Sequence, residues 1–123
     1  MASSAMVVWM DGSEAKLFRL DPQEIVRSSV SKHAHHTHTA GGHQREDEKF
    51  FHDVAGKLRD ASEVLLMGPG MTKNLFKTHL ETHHHLDIFR KIVGTETVDH
   101  PTDKQILATA RKFFKTYDLF EHP

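Results

Sequence analysis

The sequence contains no cysteine, so disulfide bonds, a thiolate nucleophile and a thiolate-bound metal are all excluded. No apolar run is long enough to cross a membrane, and residues 1–6 lack the basic and apolar stretches of a secretion signal. We therefore expect a cytoplasmic protein with no membrane partner. Neither sign of charge is in excess, because 16 Lys and Arg residues stand against 17 Asp and Glu residues. This balance disfavours DNA binding, or any binding of nucleic acid through bulk charge, since counterion release needs clustered cations.

Length and composition are those of one compact domain. The chain has 123 residues, of which 37% are hydrophobic, enough for a single buried core. Because no linker, repeat or shift in composition divides the sequence, we predict one domain over residues 1–123. Histidine is abundant, with 12 residues. Protonation of some of them below about pH 6.5 would make the chain basic.

The first third of the chain has the pattern of short strands. An apolar run over 6–10 is followed by a turn at 11–13 and by a second strand over 15–20. Pro22 ends the second strand, and a third is predicted over 24–32. Because short turns join these strands, we expect them to form an antiparallel meander.

From Arg45 the pattern becomes helical. The apolar residues that recur at spacings of three and four are Phe50, Phe51, Val54 and Leu58. The acidic residues at 46–48 are predicted in the first turn of this helix, where the helix dipole favours negative charge.

Strands and helices alternate through the second half of the sequence. The apolar run over 64–67 predicts a central strand covered on both faces. A helix over 72–83, a fifth strand over 92–98 and a final helix from Thr102 or Asp103 follow. Such alternation requires parallel pairing with right-handed crossovers. We therefore predict an α/β fold, with element order βββαβαβα, in which a mixed five-stranded sheet carries helices on both faces.

The segment His33–Gln44 interrupts all periodicity and is rich in histidine, with two adjacent glycines, Gly41 and Gly42. One interpretation is a flexible connection between a strand and a helix. The other is a binding site, because glycines let the backbone approach a ligand closely and the free amides of a helix N-terminus attract phosphate. The polar side chains here are of types that hydrogen-bond to RNA, and they belong to His33, His35, His36, His38, His43, Gln44 and Arg45.

A second candidate is the turn Gly68–Gly70, which follows the predicted buried strand and precedes Lys73. Turns at the carboxyl ends of strands are where open α/β sheets often bind ligands. The spacing matches neither the Walker P-loop nor the dinucleotide-binding fingerprint. A purely structural tight turn and a phosphate contact therefore both stay open.

The histidines also suggest metal binding, since His79 and His83 stand four residues apart on one helical face, a spacing that can chelate zinc. No third ligand is clearly placed beside them, so we predict no structural metal and no cofactor. A two-metal nuclease is disfavoured as well. Asp11 and the first helix offer carboxylates, but the central strand over 64–67 has none.

Three stretches together resemble the middle domain of the class-I release factors of eukaryotes and archaea and of Pelota, the ribosome-rescue factor. They are the Gly-Gly segment and helix over 33–58, the pattern GPG-x-x-K-x-x-F over 68–76, and the closing helix. The match is closer to bacterial stand-alone relatives, which carry a His- and Gly-rich loop and an ending like Val98–Asp103. The resemblance implies the ribonuclease-H-like fold of translational machinery components, without the nuclease carboxylates.

In release factors of this family, a Gly-Gly-Gln loop enters the peptidyl-transferase centre and helps position water against peptidyl-tRNA. Here Gly41 and Gly42 match the two glycines, His43 takes the third position and the glutamine follows at Gln44. In an extended segment that displacement moves the amide by about 3.3 Å. Pelota also lacks the glutamine and does not hydrolyse, so the resemblance favours binding over catalysis.

The resemblance therefore implies a ribosome-associated, RNA-binding protein of ribosome rescue or hibernation, whose partners are the ribosome, its RNA and tRNA. The implied RNA contacts are His33, His35, His36, His38, Arg45, Gly68, Gly70 and Lys73. An alternative is a peptidyl-tRNA ester hydrolase that aligns water with Gly41, Gly42, His43 and Gln44. Two other classes stay open: a His-rich protein that binds a metal or a small anionic ligand, and an interaction module that uses a strand edge or the final helix.

Overall fold

A computed structural model describes residues 4–21, 24–32, 42–83 and 85–121. Side chains are described in these ranges except at 42–46 and 119–121. Five strands and four helices lie in these ranges. In chain order they are β1 (Ala5–Met10), β2 (Glu14–Leu20), β3 (Ile25–Ser31), α1 (Gly42–Lys57), β4 (Glu63–Gly68), α2 (Thr72–Thr82), α3 (Leu86–Phe89), β5 (Ile92–Thr97) and α4 (Asp103–Glu121).

The strands form one mixed sheet in the order β3-β2-β1-β4-β5. β1 pairs antiparallel with β2, and β2 pairs antiparallel with β3. β4 joins the other side of β1 in parallel and carries β5, also parallel, at its far side. The predicted meander and the predicted mixed five-stranded sheet are both confirmed.

Helices cover both faces of the sheet, as the sequence predicts. On one face α1, α2 and α3 pack against the sheet through a cluster that includes Phe50, Phe76 and Ile88. On the other face α4 packs through residues such as Ile106 and Phe114. Each face buries apolar area that would otherwise contact water, which is the main favourable contribution to folding.

β4 is the strand that both clusters share. Val64 and Leu66 belong to the cluster under α1 and α2, whereas Leu65 and Met67 belong to the cluster under α4. All four are at most 1% exposed. Because successive side chains of a strand point to opposite faces, a strand covered on both faces needs a continuous apolar run. The prediction for this strand is confirmed.

Two helical features differ from the predictions. α1 begins at Gly42 rather than Arg45, so the acidic residues at 46–48 lie beyond its first turn. The apolar period begins only at Phe50, and it carries no signal for the polar turns before it. The short helix α3 was not predicted, because four residues are too few to show a helical period. Its buried Ile88 holds it in the core beside α2.

The final helix starts where the sequence predicts. Thr102 and Gln105 form a reciprocal cap, since Thr102 Oγ1 accepts the Gln105 N–H at 3.2 Å and Gln105 Oε1 accepts the Thr102 N–H at 2.8 Å. Such a capping box satisfies two amides that the first turn leaves without partners. Within the described residues no helix, α4 included, combines the length and apolar character needed to cross a membrane.

Candidate functional site

The turn after β4 and the flanks of the histidine- and glycine-rich segment lie at one end of the sheet. β1, β4 and β5 run parallel, and β3 runs in the same direction because both it and β1 are antiparallel to β2. These four strands therefore end on the same side, which we call the carboxyl edge. Segments at this edge are the β1–β2 turn, the residues after β3, the turn after β4 and the residues after β5. Open α/β sheets commonly bind ligands at such an edge.

The residues that flank the histidine- and glycine-rich segment are held at the carboxyl edge. The backbone N–H of Lys32, just after β3, donates to the Ser13 carbonyl at 2.7 Å. The Lys32 ammonium also forms an ion pair with Asp47 in the second turn of α1. The end of β3 and the start of α1 are thereby joined. The predicted RNA contacts His33, His35, His36 and His38, together with Gly41, lie outside the described residues.

The remaining residues of the segment belong to α1. Gly42, His43, Gln44 and Arg45 form its first turn, so the helix begins three residues before the predicted Arg45. In a helix, a displacement of one residue turns a position by about 100° around the axis rather than moving it 3.3 Å along a line. The first N–H groups of a helix have no partner within it, so this turn offers amide donors.

The turn after β4 is built on two glycines in unusual conformations. Gly68 has φ 147° and Gly70 has φ 59°, both in the region that side chains disfavour. A Cβ atom on Gly68 would lie 2.0 Å from the carbonyl oxygen of Met10 on the neighbouring strand. The sequence therefore requires glycine at 68 for close packing of β4 on β1, whatever else the turn does.

Lys73, which the sequence suggests as a phosphate contact, instead contacts backbone carbonyls of the protein. Its side chain is buried at 3% exposure, and its ammonium donates to the carbonyls of Gly68 and Gly70, each at 2.9 Å. The Gly68 carbonyl also accepts the Val98 N–H at 3.2 Å. Lys73 thus braces the turn from the protein side. Sequence alone places a lysine near a glycine turn but does not say whether its ammonium faces solvent or carbonyl oxygens.

A hydrogen-bonded cluster ties the β1–β2 turn to the segment between β5 and α4. The Nδ1 atom of His100 lies 2.8 Å from Asp99 Oδ1, and its Nε2 atom lies 3.3 Å from Asp11 Oδ2. The imidazole also packs on Trp9, with ring centroids 5.0 Å apart, and the indole Nε1 donates to the Asp99 carbonyl at 2.9 Å. Both imidazole nitrogens contact carboxylates, so His100 has no free nitrogen with which to act as a general base.

Electrostatics favour an ion pair in this cluster. The hydrogen bond to Asp99, followed by the one to Asp11, raises the pKa of His100. Partial burial acts to raise the pKa of Asp11, but it is lowered on balance because the backbone N–H groups of Ser13 and Glu14 donate to its carboxylate. This environment favours the protonated form of His100, whose contacts with the two carboxylates join two turns of the carboxyl edge.

Local spacing gives no signal for this cluster. The sequence indicates Asp11 only as a candidate nuclease carboxylate, and Asp99 and His100 only as part of a family-like ending. Asp11 and His100 are 89 residues apart in the chain. Only the pairing of the strands brings them together, so the joint role was missed.

A second group of histidines lies where the end of α2 and the start of α3 meet α1. The rings of His79 and His83 stack with centroids 4.3 Å apart, and His85 lies 6.0 Å from His79 and 5.6 Å from His52. Stacked rings do not direct their nitrogens at a common ion. In the part of the chain that the structure describes, no group of three His, Asp or Glu residues is arranged to hold a metal.

Burial makes this group unfavourable to protonate. Burial lowers the pKa of both His79 and His85, and nearby positive charge lowers each pKa further. That charge comes from His83 beside His79, and from His52 and Arg59 beside His85. Glu48 and Asp87 act in the opposite direction but do not outweigh burial. The Nε2 atom of His79 is buried and has no hydrogen-bond partner among the described residues.

We expect this group to reduce stability in acid. The folded-state pKa values of His79 and His85 lie below the ordinary 6.5, so the unfolded chain binds protons that the folded chain excludes. Their contribution is complete above pH 6.5 and is lost as the pH falls from 6.5 towards the folded pKa. Urea unfolding of the wild type and His79→Phe between about pH 5.5 and pH 7.5 should show a weaker pH dependence in the variant.

His100 gives the opposite sign and serves as the control. Its pKa is raised, so its contribution is complete below pH 6.5 and is lost as the pH rises through the folded value. His100→Asn should therefore remove a fall in stability as the pH rises above 6.5 and should leave the loss between pH 6.5 and 5.5 unchanged. Identical pH profiles for the wild type and His79→Phe would contradict the assignment of the acid-sensitive group.

The fold is that of an α/β domain found in proteins of translation termination and related processes. Pelota from Archaeoglobus fulgidus superposes with a TM-score of 0.66 at 15% identity, over 91% of this chain and 32% of Pelota. The archaeal translation termination factor aRF1 gives 0.57 at 11% identity, over 94% of this chain and 40% of that protein. Dom34 from S. cerevisiae, a translation termination-like factor involved in RNA quality control pathways, gives 0.53 at 11% identity, over 97% and 39%.

These likenesses confirm the predicted release-factor and Pelota fold. At such identities they show the fold alone, and the chain spans about a third to two fifths of the length of these structural neighbours. No protein-family model matches the sequence, and no curated protein matches it either.

Proposed function

We propose that this chain is a ribosome-associated RNA-binding domain of ribosome rescue or hibernation, whose segment 33–44 contacts ribosomal or transfer RNA. The observation that carries the proposal is the fold, which matches translation termination-like factors over nearly the whole chain. Within that fold, the segment is flanked by residues held at the carboxyl edge.

The flanks of the segment suit a contact with a polyanion. The Lys32–Asp47 ion pair and the hydrogen bond from Lys32 to Ser13 fix the two flanks of the segment. RNA that binds the segment therefore meets flanks that are already in place. Gly41 and Gly42 permit a close backbone approach, and the first amides of a helix have no partner within the helix and are of the kind that bind phosphate. With a formal net charge of −1, binding must rest on such local groups rather than on overall charge.

The start of α2 supplies a second candidate phosphate contact at the same edge. No side chain caps this helix at Met71, so its first amides have no side-chain acceptor. Gly70 is exposed and precedes these amides, whereas Lys73 supports the turn from below. We therefore retain Gly68 and Gly70 as the framework of this contact and assign Lys73 to bracing the turn.

Binding is favoured over hydrolysis of peptidyl-tRNA. Gln44 stands one residue beyond the position that the release-factor pattern gives to glutamine, and both positions lie in a helical turn. In a helical turn a shift of one residue moves the position by about 100° around the axis, so position 44 does not coincide with the pattern's glutamine position. A peptide-release assay with peptidyl-tRNA in ribosomes should therefore give no activity above background.

The proposal is tested by co-sedimentation with ribosomes on a gradient at moderate salt. Wild-type protein should travel with ribosomes, and Gly41→Ala/Gly42→Ala should lose at least about tenfold in affinity because the backbone can no longer approach RNA closely. Gly12→Ala is the matched control, since a Cβ at this carboxyl-edge glycine meets nothing within 4 Å. Wild-type protein that never travels with ribosomes would overturn the proposal, as would equal binding by the double variant.

A further inference from the structure

The outer edge of β3 has the properties of a strand that pairs with another strand. We propose that it pairs with β3 of a second copy of this chain, so that two sheets join into one across a two-fold axis. The inference is independent of the proposed function. It concerns the side of β3 that does not pair with β2, and it uses no residue of the carboxyl-edge contact. Among the described residues, no strand pairs with this edge.

β3 is long, regular and poorly protected. Seven consecutive residues pair with β2 without a bulge, whereas the other edge strand, β5, shows a register shift against β4 between Val64 and Leu65. Ile25 and Val26 are 37% and 45% exposed. Natural sheets usually guard their edges with lysine, proline or bulges, and an unguarded regular edge is a template for pairing.

The one charged residue of β3, Arg27, binds partners on one face of the sheet rather than extending past the strand's outer edge. The Nε atom of Arg27 lies 3.0 Å from Asp103 Oδ2, and its guanidinium lies 5.9 Å from the centroid of the Phe18 ring. Both partners lie on the α4 face of the sheet. Arg27 is thus fixed over that face and does not block the approach of another strand.

Hydrogen bonds at the two ends of β3 show which residues face outward. The Lys32 N–H donates inward to Ser13, and the Glu24 carbonyl accepts inward from Asp21. Because N–H and C=O groups alternate sides along an antiparallel strand, even-numbered residues bond to β2. The residues whose N–H and C=O groups face outward are therefore Ile25, Arg27, Ser29 and Ser31.

Only one antiparallel register uses all four outward residues in both copies. Centred on Ser28, it pairs Ile25 with Ser31 and Arg27 with Ser29, each as a hydrogen-bonded pair. Val26 then faces Val30, an apolar pair on the α1 side. A register centred on Arg27 would oppose two arginines directly, which is unfavourable, and would leave outward groups unpaired. The strand is therefore complementary to itself, as a two-fold interface requires.

The surface beside this edge is self-complementary too. Between β3 and α1 lies an open cleft of about 470 Å³. Its α1 side carries Asp53 and Lys57, one charge of each sign, and Gly56, which is exposed and has no side chain to obstruct a neighbouring helix. A two-fold operation places a second α1 antiparallel on the same face, so the two copies present both signs of charge to each other. Asp53 also pairs with Lys49 of its own helix at 3.7 Å.

The test is the mass of the full chain against concentration, by light scattering and sedimentation equilibrium. Wild type should pass from 14.1 kDa to twice that mass as concentration rises. Ser29→Pro removes an outward N–H but no bond to β2, so it should shift the chain to monomer. Ser29→Ala keeps the N–H and is the matched control, which should dimerise like the wild type.

A charge pair provides the second test, which does not depend on the proline variant folding. In the proposed register position 29 of each copy faces Arg27 of the other, so the dimer contains two such pairs. Ser29→Glu should lower the dimer Kd and Ser29→Lys should raise it, each by about 2- to 30-fold for two such pairs. Lys16 faces position 29 within the same chain, so either charge also changes an interaction inside the monomer. Thermal melting of each variant therefore checks that the fold is intact.

Three results would overturn the proposal. A wild-type chain that stays at 14.1 kDa at every concentration would leave this edge to an extended peptide of another protein. Folded Ser29→Pro that dimerises as well as the wild type would show that a different surface pairs. Equal dimer Kd values for Ser29→Glu and Ser29→Lys would show that position 29 does not face Arg27.

Discussion

Replacing Gly68 with alanine is expected to lower the free energy of unfolding by roughly 3–5 kcal/mol, a large part of the stability of a domain this size. Two effects add. A φ of 147° is a conformation that side chains rarely adopt, and the new Cβ would lie 2.0 Å from the Met10 carbonyl oxygen. The obstacle is backbone rather than the end of a flexible side chain, so β1 and β4 would have to move apart.

Urea unfolding followed by circular dichroism measures this effect. Gly12→Ala is the matched control at the same edge, because a Cβ there meets nothing within 4 Å. We expect its free energy of unfolding to stay within about 1 kcal/mol of the wild type. A Gly68→Ala variant as stable as Gly12→Ala would contradict the packing of the turn on β1.

Lys73→Met is expected to lower the free energy of unfolding by about 1–3 kcal/mol. Methionine fits the buried stem of the lysine but leaves the carbonyls of Gly68 and Gly70 without the ammonium that now donates to both. Buried acceptors that lose a charged donor are costly, although Val98 still donates to the Gly68 carbonyl. The loss should loosen the turn and the start of α2.

Lys77→Met, one turn further along α2, is the control for removing a lysine from the same helix. It should change stability by less than about 0.5 kcal/mol. Ribosome binding by folded Lys73→Met distinguishes the brace from the phosphate contact that the sequence suggested. Full stability together with lost binding would contradict the brace and restore Lys73 as an RNA contact.

Those parts of the fold that depend on long apolar patterns could be predicted from the sequence. The continuous run Val64–Met67 identifies a strand buried on both faces, because only such a strand places apolar residues at every position. The period of Phe50, Val54 and Leu58 identifies α1, and Thr102 begins the last helix through its cap. Features without a period were missed, namely the first turn of α1 and the four-residue helix α3.

The candidate site was predictable only in part. Gly68 is visible in the sequence because its close approach to Met10 needs a residue without a side chain, whereas the role of the glycines at 41 and 42 stays a prediction. The partners of Lys73 were not visible, since a lysine next to a glycine turn can face carbonyl oxygens or solvent. Nor was the contact between Asp11 and His100, because the order of the strands, rather than spacing along the chain, brings these residues together.

Site-specific photo-crosslinking on ribosomes tests whether the segment 33–44 contacts RNA. A photoreactive residue replaces His43 in one variant and the exposed Asp60, three residues beyond the end of α1, in the other. We expect crosslinks from position 43 to ribosomal or transfer RNA and none from position 60. Ribosome-bound protein that crosslinks to RNA only from position 60, or from neither position, would contradict this expectation.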